Sequence, residues 1–182
     1  MRHIKFIRSI SLIISLFLIT SCSNNSAMKP EDFKNKEPRL IIEEYMTGNV
    51  KAWGVLQNRS GKVTRQFSAD LNGAWDGKKL ILKEKFNWDD GEVQDREWII
   101  NKIDEHNYEG TAGDVVGKAK GYSYGPAFKF EYVLLVPVKG KEMKITFDDW
   151  IFKQDDRVAI NRATMTKFGF KVAELTVVFV KD

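Results

Sequence analysis

Cysteine occurs once in the 182 residues, histidine twice and proline four times. A lone thiol excludes an internal disulfide and a thiolate zinc site. Histidine stands only at His3 and His106, so a His-based metal centre and a Ser-His-acid triad both lack parts. His106 falls between Glu105 and Asn107 in a predicted turn, where a solvated imidazole is the ordinary reading. No catalytic residue, metal or cofactor is assigned. No apolar run reaches the roughly 20 residues that a membrane-spanning helix needs. The formal charge of +4 comes partly from Arg2, Lys5 and Arg8; beyond residue 21 the chain carries 26 Lys and Arg against 25 Asp and Glu. No basic stripe is left for a nucleic acid.

The amino-terminal segment has a clear pattern. Three basic residues and no acid precede an apolar stretch, Ile10 to Ile19, broken only by Ser11 and Ser15. This is the layout of a secretory signal. Its end, Ile19-Thr20-Ser21-Cys22, resembles the lipobox of bacterial lipoproteins. The resemblance implies cleavage after Ser21, so that residues 1–21 are signal peptide, with Cys22 the lipidated residue. Small side chains beside the thiol leave room for a peptidase to reach the lipidated site. Several acyl chains on one residue give lasting attachment, since each buried methylene contributes about 0.8 kcal/mol. Ser23 stands where an aspartate would favour the inner membrane, so the expected address is the periplasmic face of the outer membrane. Residues 22–38, rich in Asn, Ser, Pro and charge, read as the lipidated cysteine and a tether. As flexible coil it spans about 20–25 Å on average.

Residues 39–182 read as one all-β domain. Short alternating runs are separated by Gly, Asp and Asn clusters, the signature of an antiparallel meander of about 8–10 strands that forms a barrel or a sandwich. Strands are predicted near 49–57, 63–75, 79–88, 93–103, 108–116, 127–137, 143–153, 158–167 and 171–180. Asp76-Gly77 is a strong two-residue hairpin turn. Pro38 to Tyr45 reads as a short helix or lid. Asp89-Asp90-Gly91-Glu92 lacks the ligand alternation and length of an EF-hand loop and reads as a polar turn. The glycines from Gly110 to Gly125 lack a phosphate-loop pattern and read as points of bending or close approach.

Alternation assigns faces. Leu80, Leu82, Glu84, Phe86 and Trp88 share one face, as do Arg65, Phe67, Ala69 and Leu71. Arg96 joins Trp98 and Ile100, while Phe128, Phe130, Tyr132 and Leu134 form a clean apolar set, and Asp149 shares a face with Ile145 and Phe147. On the ninth predicted strand, Val158, Ile160 and Arg162 compete with Ala159, Asn161 and Ala163, and Arg162 is expected inside. The predicted interior therefore holds Arg65, Arg96 and Arg162 against Glu84 and Asp149, with Trp53, Trp98, Phe128 and Phe130 as walls. Buried charges require partners. Either these form an internal salt-bridge network in a filled barrel, or the surplus arginine meets an anionic head group, whose oxygens match a guanidinium fork.

Ala52-Trp53-Gly54, Arg96-Glu97-Trp98, the run from Gly110 to Gly125, Asp148-Asp149-Trp150 and the stretch Asn161 to Phe170 together resemble a proteobacterial lipoprotein family, domain of unknown function 3833, over roughly residues 39–180. The resemblance implies a lipocalin-like (calycin) barrel. It also hints at lipid, because genes of that family often lie beside fatty-acid-modifying enzymes. Three functions stay open: a barrel binding a small apolar anion such as a fatty acid or lipid, a filled envelope module with an unidentified protein partner, and an enzyme acting on acyl chains. The last would use carboxylates such as Glu84 and Asp149.

Overall fold

The computed structural model describes residues 27–138 and 140–182; the signal segment and Cys22 lie outside the described residues. Ten antiparallel strands run β1 (Gly48–Asn58), β2 (Val63–Trp75), β3 (Lys79–Trp88), β4 (Val93–Lys102), β5 (Asn107–Thr111), β6 (Ala119–Tyr124), β7 (Ala127–Val138), β8 (Lys141–Lys153), β9 (Val158–Lys167) and β10 (Phe170–Lys181). Each strand pairs with its neighbours in sequence, and β1 pairs with β10, so the sheet is a closed up-and-down barrel. Closure removes both sheet edges. Nine of the strands match the sequence reading. The tenth, β6, lies where glycine and lysine interrupt the alternation, and the predicted 108–116 run ends early at Thr111.

The tight turns follow from their residues. The turn expected at Asp76-Gly77 takes in Lys78 as well: only Gly77 adopts positive φ, +94, and the Asp76 carboxylate accepts from the backbone N–H groups of Lys78 and Lys79 at 2.9 and 2.8 Å. Positive φ costs glycine little, and aspartate satisfies backbone donors the turn leaves free.

One end of the barrel is closed by the segment before β1. A single helical turn, α1 (Ile42–Tyr45), carries Leu40, Ile42, Tyr45 and Met46 into the core, each at most 5 % exposed. The Leu40 N–H donates to the Gly125 carbonyl at 2.8 Å. Residues 27–38 differ from a free tether. A short 3-10 turn, Pro30–Phe33, lays the Phe33 ring against Trp150 and Phe152, with ring centroids 6.0 and 5.4 Å apart. Phe33 thus fastens the segment to the outer wall beside the closed end, so the span available to a flexible tether is shorter than the sequence reading gives.

Two face assignments are corrected. Trp53 is 50 % exposed on the outside of β1, and Arg162 points outward from β9, where its Nη2 lies 3.5 Å from Glu174 Oε1. The inward residues there are small: Val50, Ala52 and Gly54 on β1, and Ala159, Asn161 and Ala163 on β9. The reason is volume. Phe67, Phe128, Phe130 and Phe147 project inward from the other strands and take up much of the interior, and small barrels alternate large and small residues around it. A ranking by hydrophobicity therefore picks the wrong face of both strands. Gly110 shows the same constraint: a Cβ there would sit 2.4 Å from the Phe130 ring.

Candidate functional site: a cavity with a polar belt

The barrel interior is not filled. A cavity of about 300 Å³ runs from the plug residues Ile42 and Met46 toward the opposite, open end, where Arg65 and Trp88 mark the mouth. Its walls are mostly apolar and include Trp98, Phe128, Phe130 and Phe147. Trp98 packs against Phe130 and Tyr132 at centroid distances of 5.1 and 5.3 Å, with tilted and edge-on geometry that suits ring quadrupoles. Of the wall residues expected from the sequence, Trp98, Phe128 and Phe130 line the cavity and Trp53 does not.

A belt of polar side chains crosses the cavity. Strand pairing sets Glu84 of β3 directly opposite Arg96 of β4. The Arg96 guanidinium donates from Nε and Nη2 to Asp114 Oδ2 at 3.1 and 2.8 Å, while its Nη1 lies 3.9 Å from Glu84 Oε2. On the facing strands, the Tyr132 hydroxyl donates to Asp149 Oδ2 at 2.9 Å, and Asn161 Nδ2 donates to Asp149 Oδ1 and to the Trp150 carbonyl. Buried Glu84 Oε2 and Asp114 Oδ1 accept no hydrogen bond. Burial pushes the Glu84 carboxyl up to about 7 against the pull of Arg96, and burial raises Asp149 as well despite the Asn161 and Tyr132 donors.

At the mouth, Arg65 Nη2 bridges Asp90 Oδ1 and Glu92 Oε2, both at 2.8 Å, and its guanidinium lies 3.9 Å from the centre of the Trp88 ring. The acids of the β3–β4 turn are thus the partners of this arginine. His106 sits in its turn with Nδ1 2.9 Å from the Ser123 carbonyl, stacked on Tyr124.

The structure brings Arg96, Glu84 and Asp149 inside as expected, leaves Arg65 at the mouth among the acids of the β3–β4 turn and places Arg162 outside. With Arg162 gone and Asp114 added, the belt has more carboxyls than guanidinium groups, the reverse of the expected arginine surplus. Asp114, Tyr132 and Asn161 are the residues missed. Asp114 lies in the loop after β5 as the one acid of the run Gly110 to Gly125, and that isolation among glycines was the available signal. Asn161 follows from the face error on β9.

The chain belongs to the family described as "Protein of unknown function (DUF3833)", whose model matches residues 16–181. No curated protein matches it. Among solved structures, the S-type phycobiliprotein lyase of Guillardia theta is similar with a TM-score of 0.58 at 10% identity, over 77% of this chain and 90% of that one. A protein of unknown function from the DUF3598 family of Nostoc punctiforme is similar with a TM-score of 0.58 at 12% identity, over 81% of this chain and 51% of that one. At such identities the likeness concerns the fold, a lipocalin-like barrel.

Proposed function

We propose that this DUF3833 protein is a lipid-anchored binding barrel of the periplasmic face of the outer membrane, holding one small, mostly apolar molecule such as a fatty acid or lipid. The observation that carries this reading is the cavity. Protein interiors pack with few voids larger than a water molecule, whereas binding sites for small molecules begin at about 300 Å³ and combine apolar walls with a few polar groups. An interior of about 300 Å³ with aromatic walls and one polar belt matches the second description. A barrel that serves only as a structural module has no need of it.

The belt indicates how a head group is received. Arg96 is held on two of its nitrogens by Asp114, and its Nη1 faces Glu84. A ligand carboxylate therefore competes with Glu84 for that nitrogen. Because Glu84 protonates near pH 7, it yields by taking up a proton, and its hydroxyl then donates to the ligand. An acidic ligand binds more tightly at pH 6 than at pH 8, and the neutral Glu84→Gln side chain removes most of that difference.

The test is native mass spectrometry of the chain from residue 23 onward, purified from its own host, followed by lipid extraction. The expected spectrum carries a bound small molecule, which is lost in Met165→Trp, where an indole fills the cavity wall. An empty barrel that also fails to bind 1-anilinonaphthalene-8-sulfonate overturns the reading. The anchor is tested separately, by acyl labelling of the full chain that Cys22→Ser abolishes; labelling that persists in the variant overturns it.

A further inference from the structure

The hairpin joining β9 to β10 stands out from the other turns. Its two connecting residues are Phe168 and Gly169, with φ +51 and +80, and the flanking Lys167 and Phe170 face each other in register. Positive φ at both positions is the geometry for which Asn-Gly is the natural choice. A bulky aromatic in the left-handed region is a steric outlier. Phe168 is nonetheless there, 89 % exposed, with Phe170 77 % exposed beside it. The barrel gains little buried area from either ring, so their presence is not explained by folding, and such an outlier points to function.

The surroundings name the partner. The hairpin stands at the open end, on the rim of the cavity. On either side of it in the barrel lie the β7–β8 and β1–β2 hairpins, and this sector carries exposed Lys141, Lys144, Arg59, Lys62 and Lys171 together with half-buried Lys167. Its acids are Glu142 and Glu174, the latter taken up by Lys171 at 3.3 Å and Arg162 at 3.5 Å. The acidic β3–β4 turn borders it on the β2 side, where Asp90 and Glu92 are taken up by Arg65 at 2.8 Å. Val63 and Val138 add apolar surface at 44 % and 37 % exposure. The segment leading back toward Cys22 is fastened by Phe33 to Trp150 and Phe152 of β8, the strand beside β9. The amino-terminal segment and the aromatic hairpin thus lie on neighbouring strands, the first beside the closed end and the second at the open end.

From this we infer that the β9–β10 hairpin is a second membrane contact, inserting Phe168 and Phe170 into the interface of an anionic bilayer while the flanking lysines and Arg59 meet its phosphates. Exposed rings ringed by cations are what such an interface takes up. The contact sets the cavity mouth against the lipid surface, where an apolar ligand can pass without crossing water. It does not depend on which molecule the cavity holds.

The experiment is vesicle co-sedimentation of the unlipidated chain from residue 23, which retains every described strand. Vesicles of phosphatidylethanolamine with phosphatidylglycerol are compared with pure phosphatidylcholine. Binding is expected on the anionic vesicles and is weakened by salt. Phe168→Asn together with Phe170→Thr lowers the partition coefficient about ten-fold per ring, and Lys62→Glu with Lys141→Glu lowers it on anionic vesicles only. Phe168→Asn also suits the turn, so its thermal midpoint stays level or rises, which separates lost binding from lost folding. Equal sedimentation of the aromatic variants overturns the inference. So does absence of vesicle binding combined with a dimer, seen by analytical ultracentrifugation, that the same variants dissolve, because the hairpin then meets a second copy. Binding of 1-anilinonaphthalene-8-sulfonate by each variant reports the cavity independently of both outcomes.

Discussion

The two ends of the barrel are built to opposite standards. At the closed end, buried polar groups are satisfied. Glu43, 4 % exposed, accepts from both Lys102 and the Tyr108 hydroxyl; the Ser123 hydroxyl donates to the Leu40 carbonyl; the Tyr45 hydroxyl donates to the Arg157 carbonyl at 2.9 Å. Lys181 donates to the carbonyls of Glu44, Tyr45 and Thr47. In the belt and at the mouth the standard drops. The buried side-chain atoms without a partner among the described residues are Arg65 Nε, Glu84 Oε2, Trp88 Nε1 and Asp114 Oδ1. Unsatisfied buried groups cost stability, roughly 1–3 kcal/mol each. Their concentration in one half teaches that the closed end secures the fold, and the other half keeps capacity for something the chain itself does not supply.

The sharpest way to break that division is to loosen the plug. Gly73 lies at the closed end, and a Cβ there would fall 1.9 Å from the Met46 carbonyl oxygen, a backbone atom that cannot swing aside. Gly73→Ala must push the segment carrying Leu40 and Ile42 out of the core. A loss of about 3 kcal/mol or more is expected in urea unfolding, at the upper end for a single methyl. A variant that unfolds like the parent would show that the plug is not what secures this end.

The next effect belongs to the belt. Glu84 has its folded-state pKa raised to about 7, above the usual glutamate value, mainly by burial. Between those two values the folded chain binds the extra proton, so stability is greatest at low pH and falls as pH rises toward 7. The loss is about 2–3 kcal/mol over that interval. Asp149, also raised, works in the same direction. Glu84→Gln removes the larger part of this slope, as measured by urea midpoints at pH 5 and pH 7.5. A slope unchanged by the substitution would mean that the belt is better satisfied than its geometry indicates.

How much of this was legible follows from the same division. Nine strands and most of their turns could be read because period-2 alternation and turn residues are local signals, whereas closure through β1 and β10 pairs the two ends of the meander and has no local signal. Glu84 and Arg96 were legible as inward residues because each alternates in phase with apolar residues of its strand, Leu80, Leu82 and Phe86 in one case and Trp98 and Ile100 in the other. Arg162 and Trp53 were misplaced because their strands turn small residues inward, and which strand contributes the bulk is a property of the closed barrel, not of any one strand. Asp114 could not be assigned from alternation, since it lies in a loop whose path is set by pairing across the barrel. The docking of Phe33 depends on Trp150 and Phe152, more than a hundred residues away, and has no local signature.

The smallest predicted effect compares one kind of interaction at both ends. Lys102 with Glu43 and Arg65 with Asp90 and Glu92 are all ion pairs with charge-assisted hydrogen bonds, yet Glu43 is sealed while the side chains of Asp90 and Glu92 are 52 % and 53 % exposed. Removing a partner from a sealed carboxylate strands a charge without water, whereas Asp90 and Glu92 recover hydration when their arginine is lost. Methionine at position 65 keeps an apolar stem against Trp88, and the unpartnered Arg65 Nε disappears with the guanidinium. Arg65→Met is therefore expected to change stability by no more than about 1 kcal/mol, read from the urea midpoint, and to leave occupancy of the cavity intact. A loss above about 2 kcal/mol would make the mouth as structural as the plug. The unsatisfied atoms of the belt would then belong to a strained barrel, and the case for an exchanging ligand would rest on the cavity volume alone.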